Sequence, residues 1–272
     1  MKGARKLLKY LLPFGAVDML RNRRQLRELG REVRFSELWR SELLVHLAEV
    51  SGLNLLPAGQ WKSLRYVIDV GANVGQWSNA FLELVSPEKL IIIEPQPKLF
   101  TKLQQKFGGR RGVELHNVAI GETDGATTLR ITRDSTGASI LPPREEMKQL
   151  IGKNWTVENE VECPLRALDS LLADVPEVSL LKIDVQGYEK PALAGAMATL
   201  AKTKFLLIEL NYMPQYEGGS WFGEIHELLT CAHGFVLLDA TKPLRLNGRA
   251  SMSDALYVNE KLVPDFARRD FV

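Results

Sequence analysis

From residue 66 onward the chain alternates short apolar runs with longer amphipathic stretches. The runs are Tyr66-Val67-Ile68-Asp69-Val70, Leu90-Ile91-Ile92-Ile93, Val113 to Ile120, Val178 to Ile183, Phe205 to Leu210 and Phe235 to Leu238. Several lack the in-out alternation of a half-exposed strand, which predicts strands buried on both faces. Between them, residues 75–85, 97–107, 188–201 and 221–232 carry apolar positions at helical spacing. Strand and helix in alternation is the pattern of βαβ units, an α/β fold with a mostly parallel sheet and right-handed connections. The block 125–164 breaks that rhythm. Thr127 to Thr132 and Val157 to Cys163 read as strands around a loop rich in glycine, proline and charge, expected as an insertion near the active face. Ser253 to Val258 predicts a final strand after a turn at Asn247-Gly248.

Residues 1–62 follow a different pattern, helical throughout. Leu7, Leu8, Leu11 and Leu12 fall on one helix side and Arg5, Lys6 and Lys9 on the other, before Pro13 interrupts. A second helix is predicted from Ser36, an N-cap, through Val50. Domain organisation is thus a helical N-terminal extension, 1–62, on a catalytic body, 63–272. Charge divides at a similar point. Residues 1–40 hold 11 Lys/Arg against 4 Asp/Glu, a balance of +7, and the rest of the chain carries −5, although the total is only +2. The basic stretch, residues 1–34, is expected to be either a solvated helix face or an in-plane contact with an anionic membrane. Nucleic acid is not an expected partner, because no reading motif accompanies the charge.

Two cysteines, Cys163 and Cys231, form no disulfide framework, and the four histidines show no zinc-ligand spacing. The expected location is the cytoplasm, peripheral to the inner membrane face if the basic segment docks there. The first residues mimic a secretory leader, but the apolar run is short, contains Pro13 and meets no small-residue cleavage site.

The most informative segment is Val67-Ile68-Asp69-Val70-Gly71-Ala72-Asn73-Val74-Gly75. Glycines where a strand turns into a helix admit a ligand close to the backbone, and the helix start offers N–H groups. The next run ends in Glu94, 25 residues beyond Asp69, where a carboxylate can accept from both ribose hydroxyls. Glycine loop followed by an acid at the next strand end is the logic of an adenosine site. A dinucleotide needs G-x-G-x-x-G, and Asn73 stands where its second glycine would be. An NAD-dependent oxidoreductase is therefore the weaker reading, and no nucleoside-triphosphate loop is present.

Four segments together carry a family resemblance: Asp69 to Gly75; Ile93-Glu94-Pro95; Asn117-Val118-Ala119-Ile120-Gly121; and Lys182-Ile183-Asp184-Val185-Gln186-Gly187-Tyr188-Glu189 with Leu193 and Gly195. In that order, over about 65–240, they resemble the FkbM family of S-adenosylmethionine-dependent methyltransferases. The resemblance implies the class I methyltransferase fold, a Rossmann-like three-layer sandwich whose seven-stranded sheet has one antiparallel strand near its end. It further implies S-adenosyl-L-methionine as cofactor, Glu94 on the ribose, Gly71 to Gly75 on the methionine portion, and Asn117 and Ala119 near the adenine. The acceptor class it implies is a sugar, glycan precursor or polyketide-like metabolite methylated on a hydroxyl. A non-catalytic scaffold that keeps the fold is the other alternative.

Methyl transfer to a hydroxyl needs in-line alignment and a proton acceptor. Asp184 and Glu209 end adjacent apolar runs and are the expected catalytic carboxylates, with Asp184 also touching the cofactor. Asn211 beside them completes an oxygen-ligand set in principle, although no metal site is expected. The loop after it holds Tyr212, Tyr216 and Trp221, with His226 following. Aromatics among glycines over a cleft are expected either to stack on the substrate and close as a lid or to form a packed surface loop.

Overall fold

The computed structural model describes residues 55–56, 60–151 and 155–264. The predicted helices at 4–12 and from Ser36, and the proposed membrane contact in 1–34, lie outside them. Of the expected helical extension, Leu55 and Leu56 are buried, and Gln60–Ser63 forms a 3-10 turn leading into the first strand.

The elements follow in order: β1 (Tyr66–Val70), α1 (Gln76–Leu84), β2 (Lys89–Ile93), α2 (Pro97–Phe107), β3 (Val113–His116), β4 (Ala119–Ile120), β5 (Gly125–Thr132) and α3 (Glu145–Ile151). The second half continues with β6 (Val157–Arg166), α4 (Leu168–Leu171), β7 (Val178–Ile183), α5 (Glu189–Ala194), α6 (Met197–Ala201), β8 (Thr203–Asn211), α7 (Phe222–Glu227), β9 (Phe235–Ala240), β10 (Leu244–Leu246) and β11 (Arg249–Asn259).

The main sheet runs β10-β11-β8-β7-β1-β2-β3, with β9 also paired to β11. Strands β3, β2, β1, β7 and β8 are parallel, and β11 is antiparallel to β8. This is the class I methyltransferase arrangement, with an eighth strand added. The addition is β10, folded back on β11 through Asn247 and Gly248, whose φ values of 48° and 79° suit the two-residue hairpin turn predicted there.

Successive residues of the central strands face opposite ways, so each apolar run feeds two cores. Ile68, Val70, Ile91, Ile93, Leu181, Ile183, Leu206 and Ile208 pack with Leu193, Leu200, Ile225 and Leu229 of the helices on one face. Val67, Leu90, Ile92, Leu180, Phe205 and Leu207 pack with Trp77, Phe81, Leu103 and Phe107 on the other. That is the three-layer sandwich, and it explains why the strands did not alternate in sequence.

Three segments differ from the pattern-based expectation. The run Val113 to Ile120 divides into β3 and β4, which belong to different sheets, because the Asn117 side chain turns aside to bond the carbonyls of Glu94 and Pro95. Residues 188–201 form two short helices meeting at Gly195, where a Cβ would lie 2.1 Å from the Gly121 carbonyl oxygen. Residues 221–232 begin as α7 and loosen into a π turn over Leu228–Ala232. The two strands expected in the block 125–164 are present as β5 and β6, and together with β4 they form a separate sheet, β4-β6-β5.

Candidate active site

The sheet order reverses between β1 and β7, and ligands in open α/β sheets sit at the carboxyl ends beside that point. A cavity of about 440 Å³ opens there, lined among others by Gly71, Asn73, Glu94, Ala119, Ser135, Lys182, Asp184, Gln186, Glu209 and Asp254.

The loop leaving β1 passes under the exit of β7. Gly71 has φ 78°, and a Cβ on it would lie 1.8 Å from the Asp184 carbonyl oxygen, so nothing but glycine fits. Asn73 takes a left-handed φ of 51°, a region asparagine tolerates better than most residues. Its Oδ1 accepts from the Val74 N–H, and its Nδ2 donates to the Ser135 carbonyl at 3.2 Å. Gly75, with φ 71°, starts α1 and packs towards Phe107 and Leu103 rather than lining the cavity.

Glu94 is 2% exposed and holds this loop to the end of β2. One carboxylate oxygen accepts from the Asn73 N–H at 2.7 Å, the other from the Gln96 N–H at 2.9 Å. Each oxygen keeps a further lone pair. Burial pushes the carboxyl up to about 7, against the two N–H bonds and the charge of Lys182. Asn117, expected near the adenine, is instead the brace behind Glu94 and lies outside the cavity lining.

Asp69 also sits away from the cavity. It is fully buried in the centre of the sheet, accepting from Ser78 Oγ at 2.5 Å and pairing with Lys182 Nζ at 3.3 Å. Lys182 Nζ reaches Asp184 Oδ2 and the Gly71 carbonyl, each at 3.3 Å. Burial works against its charge, but Asp184 and Asp69 outweigh it and raise the ammonium pKa. One lysine thus ties together the centre of β1, the glycine loop and the end of β7. Sequence reasoning assigned it no role; an isolated lysine inside a run buried on both faces was the available signal.

Asp184 and Glu209 meet through Gln186. Its Nε2 donates to Asp184 Oδ1 at 2.8 Å and lies 3.4 Å from both Glu209 oxygens. Its Oε1 accepts from the Tyr216 hydroxyl at 2.9 Å, which fixes which way the amide faces. Gln186, too, is left-handed, with φ 53°, a strained conformation held by neighbours on all sides. Glu209 is buried, and its carboxyl is raised well above the ordinary range, first by burial and then by the charges of Asp184, Glu189 and Asp254. Asn211 donates from Nδ2 to Glu209, and its Oδ1 accepts from Gln215 Nε2. Below the site, Glu189 Oε1 accepts from the N–H groups of Val185 and Gly187, fixing the loop that carries Gln186.

None of the four expected substrate residues lines the cavity. Tyr216 is a buried post that donates to the Gly137 carbonyl and Gln186. Tyr212 shares a hydrogen bond with Ser253, and His226 one with Tyr257; the rings of both lie against Phe222. Trp221 is 52% exposed on the outer surface. The loop itself is tied down, Glu217 N–H to the Pro142 carbonyl and Ser220 N–H to the Gly187 carbonyl, so it is a packed loop. The wall facing β7 and β8 comes from the insertion instead, at Ser135, Thr136, Ala138, Ser139 and Ile140.

Residues 69–237 match the Methyltransferase FkbM domain family. The chain belongs to that family. Among curated relatives of this FkbM domain, the 2-O-methyltransferase NoeI of Sinorhizobium fredii is 26% identical over 162 residues, which are 56% of this chain and 65% of NoeI. Methyltransferase 1 of Beauveria bassiana is 26% identical over 143 residues, 48% of this chain and 57% of that protein. The chain therefore spans somewhat under two thirds of their lengths. Among solved structures, a FkbM methyltransferase from Methylobacillus flagellatus superposes with a TM-score of 0.47 at 14% identity, covering 71% of this chain and 44% of that one. Magnesium protoporphyrin IX methyltransferase of Synechocystis, with S-adenosylmethionine bound, gives 0.46 at 12% identity over 93% and 96%.

S-adenosylmethionine is the cofactor of this FkbM domain, and the cavity suits it. The glycine cradle at Gly71 leaves no room for a Cβ, Glu94 keeps two lone pairs for hydroxyl donors, and the far wall is acidic where a sulfonium and an ammonium would lie. Among the described residues, no three His, Cys, Asp or Glu side chains are grouped to hold a metal ion. Among them, too, no helix is long and apolar enough to cross a membrane.

Proposed function

We propose that this FkbM domain transfers a methyl group to a hydroxyl oxygen of a sugar, glycan precursor or polyketide-like metabolite. The observation that carries the reading is the pair Asp184 and Glu209, on the ends of neighbouring strands β7 and β8, facing the cavity beside the glycine loop. The 2-O-methyltransferase name of the NoeI relative supports oxygen as the acceptor atom.

Glu94 would accept from the two ribose hydroxyls of S-adenosylmethionine, and the Gly71 to Asn73 loop would hold its methionine portion. When bound, the cofactor would supply an electrophilic methyl to the acceptor oxygen, its sulfur keeping the electron pair of the broken carbon–sulfur bond. Glu209 takes the hydroxyl proton; raised above the ordinary carboxylate range by burial and neighbouring acids, it is a stronger proton acceptor than an exposed carboxylate. Asp184, held by Lys182 and Gln186, is fixed in place and orients the acceptor and the cationic end of the cofactor. The insertion wall at Ser135 to Ile140 limits the access of water to the reacting oxygen.

The test is incubation with S-adenosylmethionine labelled in the methyl group and a panel of glycosides and polyols, the products being characterised as ethers or esters. An alkali-stable methyl ether supports the reading. Label found only on nitrogen, carbon or a carboxyl group would overturn it. Parallel calorimetry with S-adenosylhomocysteine and NAD separates the oxidoreductase alternative, which requires tight NAD binding.

A further inference from the structure

Asp254 lies on β11, and the antiparallel register sets it directly opposite Glu209 of β8. Like charges directly opposite on neighbouring strands destabilise a sheet, so such a pair on a cavity wall calls for a compensating role. The Asp254 backbone is engaged, its N–H donating to Thr241 Oγ1 and its carbonyl accepting from the Thr241 N–H. Its side chain opens into the cavity, hemmed in by the surrounding protein yet reachable from the cleft, and among the described residues no donor reaches its carboxylate. Glu209 opposite it is 7% exposed, and its donors, Gln186 Nε2 and Asn211 Nδ2, lie at a long 3.4 Å. No arginine lines the cavity, and Lys182, its one lysine among the described residues, is already held by Asp69 and Asp184.

We propose that the Glu209–Asp254 pair is the acceptor subsite, and that it selects a neutral, hydroxyl-bearing acceptor over an anionic one such as a uronate, sulfate or phosphate ester. The proposal rests on the oxygen-methylation reading and narrows it. A hydroxyl donates to a carboxylate and gains from it, and two adjacent hydroxyls match two carboxyls one strand spacing apart. An anion in that position meets two acids and no available cation, a repulsive device against the wrong ligand. Glu209 receives the proton, and Asp254 holds the ring at a neighbouring hydroxyl, where it determines specificity. Asp254 fits this part: with its carboxyl at about 6, raised by the cleft and by Asp184, it is mostly ionised at neutral pH and accepts from a hydroxyl.

The test is binding of a matched methyl hexopyranoside and its uronate to the full chain loaded with S-adenosylhomocysteine, read by calorimetry or ligand-observed NMR. Wild type is expected to favour the neutral glycoside by at least about tenfold, a floor for a unit charge facing two carboxyls in a cleft. Asp254→Lys is expected to shrink that ratio at least about fivefold by recovering uronate binding, and Asp254→Asn to shrink it less. Equal binding of the two, preference for the uronate, binding of neither, or a ratio unmoved by Asp254→Lys overturns the subsite. A melting curve and S-adenosylhomocysteine affinity for each variant show that the fold and cofactor half are intact. Labelled-methyl transfer in the same samples reports separately on the reaction. Selective binding without transfer to oxygen overturns the reaction and supports the subsite; equal transfer to both sugars overturns the subsite alone.

Discussion

Replacing Glu94 by alanine tests the cofactor half of the site most directly. In the wild type each Glu94 oxygen spends one lone pair on a backbone N–H and keeps another for the cavity. Two hydroxyls donated to those lone pairs make charge-assisted bonds whose loss is expected to weaken binding by about 1.5–3 kcal/mol in all, or about 10- to 150-fold in Kd. The same substitution strips an acceptor from the N–H groups of Asn73 and Gln96, each costing about 1–3 kcal/mol if left unpaired. Stability and affinity must therefore be read separately, by thermal melting without ligand and by calorimetry with S-adenosylhomocysteine at a temperature where the variant is folded. A second signature follows from the carboxyl at about 7. The ionised form is the better hydroxyl acceptor, so wild-type affinity is expected to rise from about pH 6 to 8 and the alanine variant's to stay flat. A variant that melts lower yet binds within twofold of wild type would refute the reasoning, leaving Glu94 as a clasp for the glycine loop and nothing more.

Lys182→Met leaves Asp69 buried with no cation and is expected to lower stability by about 3–5 kcal/mol, seen as a drop of roughly 10 °C in Tm; a loss below about 1 kcal/mol would show that Asp69 is satisfied by Ser78 alone. Glu209→Gln is expected to cut turnover about 10²- to 10⁴-fold while S-adenosylhomocysteine affinity changes little, and near-normal turnover removes Glu209 as the base. Folding raises the carboxyls of Glu94 and Glu189 from 4.5 to about 7. The folded state therefore binds protons that the unfolded chain has lost, so their contribution is full below about pH 4.5 and fades as pH rises through about 7. Urea unfolding should show stability falling over that window, by up to about 3 kcal/mol per group, and Glu189→Gln, which keeps both N–H bonds of Oε1, should flatten the slope. A slope unchanged in that variant assigns the effect elsewhere. Gly71→Ala is expected to abolish cofactor binding, since the new Cβ would overlap the Asp184 carbonyl; binding within tenfold of wild type would show that β7 can yield.

The sheet was legible in the sequence because its strands are buried on both faces: a run such as Leu90 to Ile93 serves two cores and has no reason to alternate. Glu94 was visible for the complementary reason, an acid where an apolar run ends and the cleft begins, and Glu209 as an acid within a strand buried on both faces, which has to serve a cleft or a buried partner. Asp69 carries the same kind of signal one residue too early. It lies inside β1 rather than at its end, so its side chain turns into the sheet towards Lys182. What could not be read depends on partners distant in the chain. Tyr216 looked like a lid residue until the Gly137 and Gln186 acceptors were placed beside it, 79 and 30 residues away. Asp254 gave no sign at all, because its meaning lies in the register that sets it across from Glu209. The run from Val113 to Ile120 was continuous in hydropathy, and only the Asn117 amide, bonding back to β2, divides it.

The small sheet β4-β6-β5 carries the wall at Ser135 to Ile140, and a single carbonyl, that of Ser135, accepts from both Asn73 Nδ2 and Gln96 Nε2. The insertion is thus stitched at one atom to the two loops that shape the cofactor half, while the carboxylates of the acceptor half stand on strands of the main sheet. A change in the length of its hairpin would remould the room beside Glu209 and Asp254 while leaving the register of the main sheet in place. A lengthened hairpin is therefore expected to alter acceptor binding more than cofactor binding, as long as the Ser135 carbonyl keeps its two donors.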